Sequence, residues 1–153
     1  MQNLDLPLDN VTKGVAAVFE NSARGFYLVA ELHSDEGKTD GTSPETSNGL
    51  ALAGCLLITT EWSDWWNAEY WWIQSTFVLP QFRGQRIFTS LYEHLTGLAR
   101  TLNTTPGAED GETRLRVSEI RLYVEKQNDA RFVYDRLGFQ DSGYLMMSLS
   151  LRD

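Results

Sequence analysis

The sequence predicts one domain of mixed α/β fold that spans residues 1–153. Segments with apolar residues at helical spacing alternate along the chain with short apolar runs rich in β-forming residues. A length of 153 residues suits one hydrophobic core rather than two, and neither an internal repeat nor a domain-scale linker interrupts it. We therefore expect the order helix, three strands, helix, strand, helix, strand.

The first half of the chain predicts a helix followed by three strands. The segment DNVTKGVAAVFENSARG has helical apolar spacing, with Asp9 or Asn10 as its cap. Residues 34–49 contain Gly, Ser and Pro among charged side chains and predict a flexible loop. A Trp-rich turn, EWSDWWNAEY, joins the second strand to the third. The expected strands are GFYLVAEL, LALAGCLLITT and WWIQSTFVLP.

The second half predicts a long helix, a strand, a short helix and a closing strand. The long helix extends from Phe82 to Leu102, and residues 103–114 form a second flexible loop. Its apolar stripe consists of Ile87, Leu91, Leu95, Leu98 and Leu102. The strand SEIRLYVEK is followed by the helix NDARFVYDRLG, with Asn128 as cap and Gly138 as the left-handed residue after its end. GYLMMSLSL closes the fold as a strand.

Charge and cysteine content exclude several classes of protein. Thirteen Lys and Arg oppose twenty-one Asp and Glu, and the net charge of −8 argues against coating nucleic acid or an anionic membrane. The single Cys55 cannot form an internal disulfide. The sequence has neither an apolar run of ~18 residues nor the layout of a signal peptide. We expect a cytoplasmic protein with no nucleic-acid and no membrane partner.

The stretch FVLPQFRGQRIFTSLYEHL places a glycine turn between a buried strand and an amphipathic helix. Backbone N–H groups at a helix start are unpaired and lie at the positive end of the helix dipole. Gly84 would let a phosphate approach these groups, and Arg83 and Arg86 add positive charge. The pattern indicates an anion site, and the alternative is an ordinary turn with two solvated arginines.

A second stretch, RLYVEKQNDARFVYDRLGF, follows about forty residues later. Together the two stretches resemble the GNAT superfamily of N-acetyltransferases, which pairs a Gln/Arg-x-x-Gly-x-Gly/Ala turn with a later Asn-x-x-Ala-x-x-x-Tyr-x-x-Leu-Gly-Phe helix. Gln81 and Gly84 match the turn, while Ala130 stands one place earlier than the commonest spacing. The helix motif is matched by Asn128, Tyr134, Leu137, Gly138 and Phe139. EWSDWWNAEYWWIQSTFV is similar to a subgroup of small bacterial GNAT enzymes with a Trp-rich hairpin.

The resemblance, over roughly residues 11–147, implies a GNAT fold with a mostly antiparallel sheet and two splayed parallel strands, here WWIQSTFVL and SEIRLYVE. It implies transfer of acetyl from acetyl-CoA by direct attack of a primary amine on a small molecule, peptide or protein. It implies no metal, and a homodimer. The cofactor-binding residues that it implies are Phe77, Val78, Leu79, Arg83, Gly84, Gln85, Arg86, Ile87, Phe88, Asn128 and Tyr134.

Three departures from the family pattern affect these expectations. Arg86 stands where the family usually has Gly or Ala, so it either crowds the phosphate or holds it, and we favour the second. The domain starts one strand–helix unit late. Either the chain is naturally abbreviated, or this sequence is shorter than the natural protein, or a partner subunit fills the gap. Gln74 occupies the position of a family carboxylate. The alternative function is therefore a GNAT-like acyl-CoA-binding or protein-interaction module without catalysis.

Acetyl transfer needs a neutral amine, a donor for the developing oxyanion and a proton for the departing sulfur. Tyr134 matches the family position that protonates the sulfur, and its alternative role is core packing. The backbone N–H at or near Val78 is the expected oxyanion donor. Gln74 cannot accept a proton as a base. The candidate is therefore Glu61, Asp64 or Glu69 near the Trp-rich turn, or a water chain that leads to one of them, and the alternative for each is a solvated loop carboxylate.

The Trp-rich segment gives the best indication of the acceptor. Aromatic faces interleaved with carboxylates can hold a cationic amine. Strand alternation should send Trp71 and Trp72 to opposite faces, so at least one packs in the core. The predicted substrate-binding residues are Trp62, Asp64, Trp66, Trp72 and Gln74. The alternatives are core packing with a dimer contact, or a platform for carbohydrate or peptide.

Overall fold

A computed structural model describes residues 6–33, 49–105 and 115–151. The helices and strands formed by these residues are α1 (Leu8–Glu20), β1 (Phe26–His33), β2 (Leu50–Ser63), β3 (Ala68–Val78), α2 (Ile87–Thr104), β4 (Val117–Leu122) and α3 (Arg131–Arg136). Mixed α/β structure is thereby confirmed. Residues 34–48 and 106–114, which hold most of both expected loops, lie outside the described residues.

The four strands form one sheet in the order β1-β2-β3-β4. β1 pairs with β2 and β2 pairs with β3 in antiparallel fashion, whereas β3 and β4 are parallel. The mostly antiparallel sheet with one parallel pair is the arrangement expected from the sequence. By compactness the chain divides into two units, one ending at Tyr123 and the other beginning at Val124, and the single domain stays a prediction.

Helix α2 covers one face of the sheet, which we call the inner face. α2 contacts all four strands. Alternate residues of β2 and β3 supply the sheet side of this core, with Leu56, Ile58, Trp71 and Ile73 all buried. The helix side is formed by Ile87, Leu91, Leu95 and Ala99. Steps of four residues keep these side chains on one line, so Ala99 replaces the expected Leu98, which is 36% exposed.

The opposite side, which we call the outer face, carries the alternate residues of the same strands. Val29, Cys55 and Phe77 form one row across β1, β2 and β3, and Val29 and Phe77 are exposed. Helix α1 has no buried residue, but its Phe19 stacks on Tyr27 of β1, with ring centroids 5.6 Å apart. None of the described helices combines the length and apolar content needed to cross a bilayer.

Several element boundaries differ from the sequence expectation. Helix α2 begins at Ile87 rather than Phe82, because the chain first makes a 3-10 turn at Pro80–Phe82 and then adopts positive φ. α2 also continues to Thr104, into the expected loop. The expected Trp-rich turn is mostly strand, since β2 continues to Ser63 and β3 already begins at Ala68. Cross-strand pairing extends both strands further than local composition indicates.

The second unit contains α3 and the C-terminal segment. Helix α3 covers Arg131–Arg136, and Gly138 follows it with a φ of 90°, as expected. Residues 143–151 are not a strand in the described structure, which corrects the expected closing strand. These residues are all exposed. An apolar segment becomes a strand only where another strand pairs with its backbone groups, and no such pairing to this segment is present among the described residues.

Candidate functional site

The parallel strands β3 and β4 separate partway along β3. Their pairing runs from Glu69 opposite Val117 to Ile73 opposite Leu122. β3 then continues to Val78, and over this part it pairs only with β2 among the described strands. The pairing therefore ends where β4 itself ends, and one edge of residues 74–78 has no neighbour among the described strands. We call the space beside this edge the gap, and the expected splay of the two strands stays a prediction.

A β-bulge lies where the strands separate. Ile58 is opposite Ile73 and Leu57 is opposite Ser75, so Gln74 is an extra residue in β3. A bulge bends its strand and raises the local twist, and this bulge lies directly after Ile73, the last residue of β3 that pairs with β4. The Gln74 side chain accepts a hydrogen bond from the Thr59 hydroxyl, with 3.5 Å between Oγ1 and Oε1. Gln74 is thus a neutral acceptor on the outer face.

Alternation of the backbone decides which groups of β3 are directed toward the gap. The N–H of Leu79 donates to the carbonyl of Ala53 at 2.9 Å, and its own carbonyl accepts from the N–H of Phe82 at 2.9 Å. The backbone of Leu79 is therefore paired within the protein, and its expected role toward a cofactor stays a prediction. Val78 and Thr76 direct their N–H and C=O groups away from β2, toward the gap. Thr76 was not among the predicted cofactor-binding residues. It lies two residues before Val78 in the same strand, so the alternation that selects Val78 also selects Thr76.

The turn after β3 is fixed by two left-handed residues and one arginine. Gly84 has a φ of 77° and Arg86 has a φ of 61°. The Arg83 guanidinium donates through Nε to the carbonyl of Val78 at 3.1 Å, which ties the turn to the end of β3. The amide of Gln85 donates to the carbonyl of Gln81 at 3.1 Å. These contacts hold the glycine turn against the end of the open strand edge.

Helix α2 starts directly after this turn without a side-chain cap. Its first intrahelical bond runs from the N–H of Ser90 to the carbonyl of Arg86, at 3.0 Å. The preceding amides of the first turn have no carbonyl four residues earlier in the helix, and they lie at the positive end of the dipole. Ile87 is buried in the core, so only its backbone can serve a ligand, and the ring of Phe88 stacks on Tyr92. This helix start can accept an anion.

Residues of the second predicted motif form the two ends of α3. Asn128 accepts a hydrogen bond from the N–H of Ala130 at 2.9 Å, just before the helix. At the other end, the N–H of Phe139 donates to the carbonyl of Tyr134, and the N–H of Gly138 donates to the carbonyl of Asp135. These are the two bonds of a Schellman motif. The local reason for a Tyr-x-x-Leu-Gly-Phe sequence is therefore helix termination.

Tyr134 also makes the side-chain contact that accompanies this motif. Its ring meets that of Phe139 edge to face, with centroids 5.8 Å apart. Burial raises the pKa of Tyr134 above the ordinary value of a tyrosine, because the charged form loses hydration. The phenol is therefore protonated throughout the neutral range, as an acid requires.

The two candidate bases lie on opposite faces of the sheet. Glu61 is directly opposite Tyr70 and Trp62 is directly opposite Glu69, so alternation separates the two carboxylates. Glu61 accepts from the indole N–H of Trp72 at 2.7 Å on the outer face. Glu69 accepts from the indole N–H of the buried Trp71 at 3.3 Å on the inner face. The two carboxylates therefore cannot both face an acceptor held on one side of the sheet.

The outer face also carries aromatic and charged residues that were not among the predicted site residues. The ring of Trp72 stacks on Tyr123, with centroids 4.5 Å apart and an interplanar angle of 18°. The guanidinium carbon of Arg121 lies 3.3 Å from the ring centroid of Tyr70, and Arg121 donates to Glu119 at 2.8 Å. The alternation of Glu119, Arg121 and Tyr123 in the sequence is the signal that could have found them.

The hairpin tip lies away from the gap. Trp66 is 64% exposed and lines a cavity of about 190 Å³ with Arg116 and Ser118, where β3 and β4 begin. From Ala68 to Gln74, β3 rises by roughly 20 Å. The structure therefore keeps Trp72 and Gln74 near the separation of the strands and places Trp66 at the other end of β3. The remaining predicted residues of the tip, both exposed, are Trp62 and Asp64.

Comparisons with solved structures agree with this architecture. The chain is similar to a possible acetyltransferase from Clostridium difficile 630, with a TM-score of 0.73 and 25% identity, over 100% of this chain and 83% of that chain. A Trypanosoma brucei acetyltransferase has a TM-score of 0.60 and 17% identity, over 95% of this chain and 82% of that chain. For a probable acetyltransferase, the TM-score is 0.66 and the identity 16%, over 95% and 79%.

The two less similar structures support the fold alone. No family model matches the sequence, and no curated protein matches it either. The strand order, the separation of β3 from β4 and the glycine turn before α2 agree with the two motifs found in the sequence. The chain therefore has the GNAT fold that its motifs predicted.

Proposed function

We propose that the protein is an acetyl-CoA-dependent N-acetyltransferase. One observation carries this proposal: the open edge of β3 ends at the same turn from which α2 begins. An extended amide chain can pair with the open edge, and a pyrophosphate can bind the amides at the helix start. Acetyl-CoA has both parts in one molecule. The likeness at 25% identity to a possible acetyltransferase supports the same reading.

The residues present fit such a ligand in different ways. The backbone groups of Thr76 and the N–H of Val78 would pair with the pantetheine amides, since they are directed to the gap. The carbonyl of Val78 already accepts from Arg83. The backbone of Gly84 and of the first turn of α2 would meet the pyrophosphate, because no Cβ at position 84 stands in the way. Arg86 would add a guanidinium at the same end of the helix. Arg83 would stabilise the turn through its hydrogen bond to the carbonyl of Val78.

The proposed reaction is direct transfer to a primary amine. The neutral nitrogen of the acceptor forms a C–N bond to the acetyl carbon while the C–S bond breaks. Another backbone N–H of the open edge, close to Val78, would stabilise the negative charge on the acetyl oxygen. Tyr134 would give its proton to the departing sulfur, and the proton lost by the nitrogen would pass to solvent.

The state of the single cysteine supports direct transfer over an acetylated enzyme. Cys55 is directly opposite Phe77 of β3, beside the proposed cofactor strand. Burial raises the pKa of the Cys55 thiol, because the thiolate would lose hydration. The thiolate is the nucleophilic form, so the thiol at this position is a poor acceptor of an acetyl group.

The test of the proposed function combines binding and turnover. Calorimetry with acetyl-CoA measures binding, and release of CoA thiol measures transfer to a panel of primary amines. We expect both binding and amine-dependent thiol release. Failure of acetyl-CoA to bind, together with no turnover for any acceptor, would show that the protein is not such an enzyme.

Tyr134 has a test of its own. Tyr134→Phe keeps the ring that packs on Phe139 and removes the hydroxyl. We expect kcat to fall by a factor of about 100 or more, with little change in acetyl-CoA affinity. Tyr144→Phe is the matched control, because Tyr144 is 83% exposed in the same unit. Equal turnover in Tyr134→Phe and wild type would remove the phenol from the mechanism.

A second candidate function is an acyl-CoA-binding module without catalysis. The observation that favours it is Gln74, which accepts a hydrogen bond from Thr59 at the bulge where relatives carry a carboxylate. Binding of acetyl-CoA without turnover for any acceptor, including after Gln74→Glu, would support this function. Turnover by the wild-type protein would exclude it.

A further inference from the structure

Three outer-face residues form a continuous polar and aromatic surface, which we call the cation subsite: Glu61, Trp72 and Tyr123. Trp72 joins the other two, since its indole N–H donates to Glu61 at 2.7 Å and its ring stacks on Tyr123 at 4.5 Å. The N–H bond fixes the carboxylate at the edge of two stacked rings. Tyr123 is 57% exposed, so the subsite is open to solvent.

The charges around the subsite leave it negative. Arg121 is already bound to Glu119 at 2.8 Å, and its guanidinium lies over the ring of Tyr70 and 5.6 Å from the ring centroid of Trp72, so the exposed ring of Tyr123 is the one left for a ligand cation. No ion pair to Glu61 is formed within the part of the chain that the structure describes. The two carboxylates and one guanidinium therefore sum to a charge of −1. Arg121 also demonstrates that this aromatic surface accommodates a cation over a ring.

The subsite lies next to the gap between β3 and β4. Trp72 directly precedes Ile73, the last residue of β3 that pairs with β4. From Trp72 to Gln74 and Thr76, where the open edge begins, β3 rises by about 7 to 13 Å. A short flexible ligand can therefore reach from the carboxylate to the gap.

We propose that Glu61, Trp72 and Tyr123 bind a positive charge on the acceptor that is separate from the nitrogen that reacts. The proposal rests on the proposed function and names its substrate class, a linear aliphatic diamine. A carboxylate stabilises the protonated form of the amine that it binds, and a protonated amine has no lone pair with which to attack. An amine held by Glu61 is thus a handle, and a second amino group reacts at the gap.

The kinetic test uses linear diamines from diaminobutane to diaminodecane, each compared with the monoamine of the same length. We expect kcat/KM to favour the diamine by about tenfold, from one exposed ion pair and one cation–π contact. The preference should peak at one length, because the distance from the subsite to the gap is fixed. Equal kcat/KM for diamines and monoamines at every length would overturn the proposal.

The variant test uses Glu61→Gln, whose amide oxygen can still accept from the indole N–H of Trp72. We expect this variant to lose the preference for diamines, because its KM for the diamine rises. Glu93→Gln is the matched control, since Glu93 is an exposed carboxylate on α2, on the other side of the sheet. Retention of the full diamine preference in Glu61→Gln would also overturn the proposal.

A binding measurement separates this proposal from the proposed function. The indole N–H resonance of Trp72, assigned with Trp72→Phe, should shift on titration with diaminobutane in wild type and in Glu93→Gln, and not in Glu61→Gln. Such a shift without any turnover would support the subsite and count against the enzyme. Turnover with no shift for any diamine would support the enzyme and overturn the subsite.

Discussion

Substitutions at Arg86 can separate the effect of its backbone conformation on stability from the effect of its side chain on cofactor binding. It precedes α2 with a φ of 61° and a ψ of 17°, in the left-handed region, and its side chain does not cap the helix. The left-handed conformation costs an L-residue about 1–2 kcal/mol of stability, whereas glycine adopts it without this cost. Glycine also loses more conformational freedom on folding, which offsets about 0.5–1 kcal/mol.

Arg86→Gly should therefore stabilise the fold by about 1 kcal/mol. For a chain of this length that corresponds to a rise in Tm of about 2–4 °C. Arg86→Ala removes the same guanidinium but keeps Cβ, and so it keeps the left-handed strain. Because Arg86 is exposed, we expect the Tm of Arg86→Ala to stay near that of wild type.

Cofactor affinity should change in the opposite direction from stability. A hydrogen bond to a charged group contributes about 1.5–3 kcal/mol, which is roughly 10- to 150-fold in Kd. Both variants lose the guanidinium, so both should bind CoA more weakly by about tenfold or more. The loss should shrink at high salt, since an exposed charge is screened.

The assay is calorimetric titration with CoA, together with a thermal unfolding scan of each variant. Arg100→Ala is the control, because Arg100 is an exposed arginine near the other end of the same helix. Tighter binding of CoA by Arg86→Gly than by wild type would refute the reasoning, because it would mean that Arg86 crowds the phosphate. Unchanged affinity in both variants would remove Arg86 from the anion site.

Two further predictions concern stability, each measured by denaturant unfolding. Gly25→Ala should cost about 3 kcal/mol, because its Cβ would lie 2.1 Å from the carbonyl oxygen of Ile58 at a φ of 138°. Gly14→Ala, with no atom within 4 Å of the new Cβ, should instead stabilise α1 by about 0.5–1 kcal/mol, and a loss of equal size in both variants would contradict the clash. Asn103→Ala should cost about 2 kcal/mol, since its amide bonds both backbone groups of Val117, at 2.8 and 2.9 Å, and Asn103→Asp, which keeps only the acceptor, should cost less. Wild-type stability in Asn103→Ala would mean that this clamp contributes nothing.

Much of the fold follows from short patterns in the chain. The spacing of Ile87, Leu91 and Leu95 identifies the helix that covers the sheet, because a 3.6-residue period can be recognised without any tertiary contact. Apolar runs identify the four described strands in the same way. The prediction of a closing strand was wrong because a strand depends on a tertiary partner and not on local composition alone. The composition of residues 143–151 is that of a strand, but a strand exists only where its backbone finds a partner.

One part of the candidate site could likewise be predicted from the sequence, and another part could not. The glycine turn with Arg83 and Arg86 is local, so the sequence alone indicates an anion site before α2. The gap is not local. It depends on the end of the β3–β4 pairing at Ile73 and on the bulge at Gln74, and a register shift of one residue changes every side chain's face.

By itself, then, the sequence determined the element types, the glycine turn and the ordered motifs, because each depends on residues close together in the chain. Only the tertiary structure decided that Glu61 and Trp72 share the outer face while Glu69 and Trp71 share the inner one. Strand alternation places neighbouring side chains on opposite faces of the sheet, but packing against α2 determines which face lies in the core. The parallel pairing of β3 with β4 brings Tyr123 onto Trp72, although the two residues lie about fifty positions apart in the chain.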